Sequence, residues 1–262
     1  MRKLLLALLG FVLVVYGVLC AGLYSKQRTL MYYPQPAAPG AEASMRALDG
    51  TDAGIRISVR DADGPDALVY FGGNAEDVSR NLPGFTDAFP THAIYLLHYR
   101  GYGGSAGEPT EAGLAKDALA LFDLVQRKHG RVTVIGRSLG SGLAVRVASQ
   151  RNVARLVLVT PYDSLQDIAA DLYPWMPVRW LLIDKYESWR YASKVSAPTL
   201  LVEAEHDEVI PRASTRKLLS RFRQGVARLE VIAGAGHNSI AQSDRYLELL
   251  RGGLQQAPHA RE

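Results

Sequence analysis

The chain holds a single cysteine, Cys20, among 262 residues. One thiol excludes an internal disulfide, so cysteine pairing carries no information about the redox compartment. No Cys/His cluster has the spacing of metal ligands, so no metal site is expected. No P-loop is present and no G-x-G-x-x-G opens a helix, which leaves a nucleotide cofactor without a phosphate cradle. Net charge is only +4, too small to argue for a nucleic-acid partner. Internal repeats and long low-complexity tracts are also missing. Apolar residues make up 48%, and a chain of this length can bury a substantial core in one domain.

Long hydrophobic runs are scarce too, with one exception. Arg2 and Lys3 precede Leu4 to Tyr24, 21 residues without a charge. As a helix this run is about 31 Å long, enough for a bilayer core. An uncleaved anchor is the favoured reading, with a cleaved signal and a buried helix as alternatives. Val18-Leu19-Cys20-Ala21-Gly22 is a poor cleavage site, and Leu19 before Cys20 departs from a bacterial lipoprotein signal. Arg2, Lys3 and the amino terminus outweigh Lys26 and Arg28 modestly as cytoplasmic flanks. The rest of the chain is therefore expected outside the cytoplasmic membrane, on the periplasmic or extracellular side.

Gly136-Arg137-Ser138-Leu139-Gly140 is the most informative stretch. It follows Val132-Thr133-Val134-Ile135, a buried strand by composition, and precedes a helical run, Ser141 to Ala148. Strand, G-x-S-x-G, helix is a nucleophile elbow. The tight turn strains the central Ser, and flanking glycines remove side chains that would clash.

A hydroxyl nucleophile needs a base, and the base needs an orienting acid. In elbow enzymes the order is Ser, Asp or Glu, then His. Among the six His, only His237 lies in a Gly-rich loop after a last strand, Leu229 to Ile232. His98 ends an earlier strand and is expected to be packed in place. His92, His129 and His259 read as loop, helix-end and tail residues. Asp207 follows the strand Thr199 to Glu203 and lies between Ser138 and His237 in order. Glu203, Glu205 and Asp163 compete with it. Glu203 lies too near the strand, and Asp163 is expected to cap the next helix through its carboxylate.

A developing oxyanion needs donors. The elbow supplies the Leu139 N–H. Leu68-Val69-Tyr70-Phe71-Gly72-Gly73-Asn74-Ala75 reads as a strand followed by a glycine turn, and the N–H of Asn74 is the expected second donor, with Gly73 next.

This order of motifs resembles the α/β-hydrolase superfamily, and more narrowly its membrane-anchored, serine-aminopeptidase-like branch. The resemblance also rests on Gln27 to Pro34, Tyr99-Arg100-Gly101-Tyr102-Gly103-Gly104-Ser105, Thr160 to Ser164, Asp207 with Pro211, and Gly236-His237-Asn238. Gly72 stands where the branch carries His, and Ala204 where a Gly is usual before the acid. The first departure bears on the hydrogen bonds that brace the oxyanion loop.

Strands are expected near 55–59, 68–71, 93–99, 132–135, 156–160, 199–203 and 228–232. Helices are expected near 76–86, 111–129, 138–150, 210–223 and 241–251. The alternation predicts an α/β fold with a mainly parallel, twisted sheet covered on both faces. Residues 1–25 form the anchor or signal, 26–45 a linker, 46–254 the hydrolase domain and 255–262 a tail. Residues 161–195 form a short cap that holds all three Trp. It reads either as an apolar mouth or lipid-touching surface, or as ordinary packing on the sheet edge. The basic run Arg212, Arg216, Lys217, Arg221, Arg223, Arg228 is either a face for anionic headgroups or a solvated helix face. Arg100 and Arg137 are expected to brace loops. The expected chemistry is hydrolysis of an ester or thioester through an acyl-enzyme, with no cofactor. Amide hydrolysis and a silent hydrolase fold used for binding are the alternatives. The expected partners are a small-molecule or lipid-like acyl substrate and, through residues 4–24, the membrane.

Overall fold

The computed structural model describes residues 1–255. Apart from Gln255, the expected tail lies outside them. The first element, α1 (Arg2–Met31), is longer than the apolar run that predicts it. Residues 26–31 contain no helix breaker, and the chain turns extended only at Tyr32, two residues before Pro34. The expected linker therefore begins as helix.

Eight strands follow: β1 (Met45–Ala47), β2 (Arg56–Arg60), β3 (Asp66–Phe71), β4 (Ala93–Leu97), β5 (Arg131–Arg137), β6 (Arg155–Val159), β7 (Thr199–His206) and β8 (Ala227–Gly236). They form one sheet in the order β1-β2-β4-β3-β5-β6-β7-β8. β1 and β2 run antiparallel to their neighbours, and the remaining pairs are parallel. β1 has three residues and no alternation of its own, so pairing with β2 alone makes it a strand. The helices are α2 (Leu82–Ala88), α3 (Glu111–Lys128), α4 (Leu139–Gln150), α5 (Leu165–Leu172), α6 (Val178–Leu181), α7 (Trp189–Ala192), α8 (Arg212–Leu219) and α9 (Asp244–Gln255). The helix expected at 76–86 is divided into a 3₁₀ turn, Val78–Asn81, and α2. The cap carries α5, α6 and α7.

Period-two alternation divides the sheet's side chains between two layers. Val69, Phe71, Val134 and Leu158 face α3 and α4, where Leu114, Ala118, Leu121, Phe122 and Val125 form one stripe. Leu68, Tyr70, Ile135 and Val157 face the other layer, with Phe85 of α2 and Leu250 of α9. β3 is followed to one side by β4 and to the other by β5, so chain order reverses there. Such a switch point opens a crevice at the carboxyl ends of the strands.

His98 is packed as expected, 2% exposed, with Nε2 2.8 Å from Ser58 Oγ. Burial pushes its imidazole down to about 4. An unfolded His titrates near 6.5. Between these values the unfolded chain holds the extra proton, so stability is lost as pH falls from about 6.5 to about 4, by roughly 3 kcal/mol if the group is fully buried. Urea unfolding at pH 7 and pH 4.5 measures this. The drop is expected to shrink in a His98→Gln variant, and an unchanged drop would refute the assignment.

Candidate active site

Phe71 and Gly136 are register partners on β3 and β5, so the two strands end level with each other. The glycine loop after β3 and the elbow after β5 consequently meet in the crevice. Ser138 has φ 49° and ψ −118°, the strained conformation expected of an elbow. The flanking glycines are required by contact. A Cβ on Gly136 would stand 2.5 Å from the Gly140 carbonyl oxygen, and one on Gly140 would stand 2.1 Å from that of Phe71. The Ser138 main chain is held by its N–H to the Val159 carbonyl at 2.9 Å, and by its own carbonyl, which accepts the Ser141 N–H.

Asp207 and His237 come together through an irregularity in the sheet. β7 and β8 pair as Ala204↔Ile232 and then as His206↔Gly236, so β8 carries two extra residues between these partners. Asp207 and His237 each follow the second pair. His237 Nε2 lies 2.9 Å from Ser138 Oγ, and its Nδ1 lies 3.0 Å from both Asp207 carboxylate oxygens. The carboxylate fixes the tautomer: Nδ1–H donates to Asp207, and Nε2 accepts from the Ser138 hydroxyl. Both side chains are buried. Asp207 Oδ1 also accepts the N–H groups of Val209 (3.0 Å) and Ile210 (2.7 Å), which orient the carboxylate. Glu208 accepts the His237 N–H at 2.9 Å. This bond holds the Glu208 carboxyl below its usual range.

The competing acids have other partners. Glu203 is buried against Arg212 and Arg216, and Glu205 accepts the Gly234 N–H. Asp163 does not cap α5. Ser164 does, accepting the Asp167 N–H at 3.1 Å, because its short side chain occupies the N-cap position. The buried Asp163 carboxylate pairs instead with Lys217 at 2.9 Å and with Arg221. Much of the basic run on and after α8 is thus paired with acids of the domain, two of them buried.

The glycine loop after β3 passes close to Ser138: a Cβ on Gly73 would lie 3.8 Å from Ser138 Cβ. Gly73 N–H is bound to Glu76 at 2.6 Å, which removes it as a donor. Leu139 N–H opens α4 and has no acceptor within the helix. Among the described residues Asn74 N–H also has no acceptor. The Asn74 side chain is held by Tyr102 Oη at 2.9 Å and the Met31 carbonyl at 2.6 Å, which fixes the loop. Of the three candidate donors, the N–H groups of Leu139 and Asn74 are thus the two left without an acceptor among the described residues.

Sequence reasoning missed Glu76. Its carboxylate takes Gly73 N–H and Arg137 on one oxygen, and Tyr70 Oη and Asn81 on the other. Arg137 also donates to the His237 carbonyl at 3.3 Å, so one ion pair joins the oxyanion loop to the His loop. The only available signal was a carboxylate three residues beyond a glycine pair. Gly72, without the imidazole of the related branch, is braced by Tyr99 Oη and Gly140 N–H on its carbonyl. A Cβ there would stand 2.5 Å from Val78. Arg100 braces a loop as expected, paired with Asp117 and Asp52.

Residues 66–184 match the α/β hydrolase fold family. An uncharacterised protein of Mycobacterium tuberculosis is 35% identical over 246 residues, covering 86% of this chain and 85% of that protein. The human α/β hydrolase domain-containing protein 17B is 30% identical over 70% of this chain and 64% of its own. Among solved structures, an α/β hydrolase enzyme from a deep-sea metagenome library superposes with a TM-score of 0.67 at 15% identity, over 83% of this chain and all of that one. A Pyrococcus furiosus esterase superposes with a TM-score of 0.66 at 15% identity, over 86% of this chain and 97% of that one. The sheet order and these matches together establish that the chain belongs to the α/β-hydrolase superfamily.

Proposed function

We propose that the protein is a serine hydrolase that cleaves carboxylic esters or thioesters through an acyl-enzyme. The observation that carries this reading is the unbroken hydrogen-bonded chain from Asp207 through His237 to Ser138. Neutral His237 takes the Ser138 proton as Oγ attacks the acyl carbon. Asp207 stabilises the imidazolium that forms. The N–H groups of Leu139 and Asn74 receive the oxyanion, and His237 then protonates the leaving group. Water repeats the sequence and frees the acid. Ester chemistry is favoured over amide chemistry by the esterase and the Burkholderia xenovorans enol-lactonase among the structural neighbours.

The α1 helix is long and apolar enough to cross a membrane. In this proposal it is a retained single-span anchor, with Arg2 and Lys3 cytoplasmic and the hydrolase domain outside the cytoplasmic membrane. The substrate is a small-molecule or lipid-like acyl compound.

A fluorophosphonate probe tests the enzyme reading. It is expected to label the membrane fraction of the intact chain and to leave a Ser138→Ala variant unlabelled. An unlabelled intact chain would point to a silent fold used for binding. Faster cleavage of aminoacyl anilides than of p-nitrophenyl esters would move the reaction to amides.

A further inference from the structure

The C-terminal half of α1 lies against the cap. Its half-covered residues, Cys20, Leu23, Gln27 and Met31, repeat at helical spacing on one face. Polar contacts fix the register between the two. Arg28 pairs with Asp184 at 3.0 Å. Gln27 donates to the Leu181 carbonyl at 3.2 Å and accepts the Ile183 N–H at 2.8 Å. Tyr16 Oη donates to the Trp175 carbonyl at 2.8 Å. From Asp184 back to Trp175, the cap therefore travels along α1 from the level of residue 28 to that of residue 16, about 18 Å.

That travel has a consequence for depth. Tyr16 lies about 12 Å inside the end of the uncharged run Leu4 to Tyr24. Wherever this run crosses hydrocarbon, Trp175 is carried into the same layer. The side chains suit that position. Leu172 is 68% exposed, Tyr173 50%, Trp175 52%, Trp180 88% and Ile183 45%. Arg179 is the only charged residue from 172 to 183, and it pairs with Asp167 at 2.6 Å. Trp and Tyr are enriched where hydrocarbon meets headgroups. A contiguous apolar patch continuous with a spanning helix faces lipid more readily than water.

We propose that cap residues 172–183 insert into the leaflet of the bilayer nearest the hydrolase domain. This rests on the reading of α1 as a membrane span. Met31, whose carbonyl binds Asn74, lies about 10 Å beyond Tyr24 along the helix. The oxyanion loop is thereby tied at roughly headgroup height.

The test uses the full chain in phosphatidylcholine vesicles with plain or brominated acyl chains. One variant keeps Trp175 alone (Trp180→Phe with Trp189→Phe), and another keeps Trp189 alone (Trp175→Phe with Trp180→Phe). The Trp175 chain is expected to lose about half or more of its emission in brominated lipid and to resist aqueous acrylamide, as a side chain held in the hydrocarbon does. The Trp189 chain is expected to keep its emission in brominated lipid. Equal emission of the Trp175 chain in the two lipids overturns the proposal: acrylamide quenching would then place the cap in water, and protection from both quenchers would place it under a second copy or another protein. Alkaline carbonate extraction separates the two readings. A chain released by carbonate refutes the span itself, whereas a retained chain with unquenched Trp175 refutes only the insertion. The unaltered chain, with two of its three Trp in the segment, provides the same measurement if the variants fail to fold.

Discussion

Replacing Ser138 by alanine is expected to lower kcat/KM on a p-nitrophenyl ester by about 10⁴-fold or more while leaving thermal unfolding nearly unchanged. A loss of that size is about 5.5 kcal/mol of transition-state stabilisation. The fold should tolerate the change because the elbow is held by main chain. Ser138 N–H binds Val159, its carbonyl binds Ser141, and the Gly140 N–H binds Gly72, none of which needs the hydroxyl. The hydroxyl contacts His237, so its removal deletes the proposed nucleophile and little else. The N–H groups of Leu139 and Asn74 would still polarise a bound carbonyl, leaving a residual rate above that in water. A purified variant that keeps a tenth of the activity or more would remove Ser138 from the mechanism.

Asp207→Asn is expected to cost about 10⁴-fold in kcat, and the reason is orientation rather than charge alone. Oδ1 accepts the N–H groups of Val209 and Ile210. Those two donors would hold the amide oxygen of the introduced asparagine in the same place and turn its NH₂ toward His237 Nδ1. The imidazole would then accept at Nδ1 and carry its proton on Nε2, facing Ser138 with a donor where the mechanism needs an acceptor. Steady-state kinetics with Asp207→Asn and Asp207→Ala separates the causes. The alanine variant imposes no tautomer, so raising pH should restore more of its activity than of the asparagine variant's. Equal recovery would refute the tautomer argument.

The elbow was legible because its chemistry is local. Two glycines, a Ser and the flanking strand and helix occupy adjacent positions, and the contacts that demand Gly136 and Gly140 follow from the tight turn. Ser138, Asp207 and His237 were also legible as a set, since each follows a strand that one edge of a parallel sheet must collect. Asp163 was misjudged because a carboxylate before a helix reads equally well as a cap or as one half of an ion pair. Lys217, more than fifty residues away, decides between them. Glu76 was missed because its role depends on Arg137: Gly73, Tyr70 and Asn81 lie within six residues of it, but the ion pair that ties its loop to the His237 loop forms only when β3 and β5 pair.

The sequence by itself determined the superfamily, the glycine loop, the apolar α1 and the choice of the three side chains that the fold brings into hydrogen-bond contact, because each depends on residue type and near-neighbour spacing. Tertiary structure decided which donors remain free, which carboxylates serve as ion pairs, and how α1 meets the cap. The two extra residues of β8 that set His237 beside Asp207, and the Arg137–Glu76 ion pair that joins the loop after β3 to the His237 loop, are products of chain segments meeting in space. Their hydrogen bonds join residues distant in the chain, and no local pattern encodes such distances.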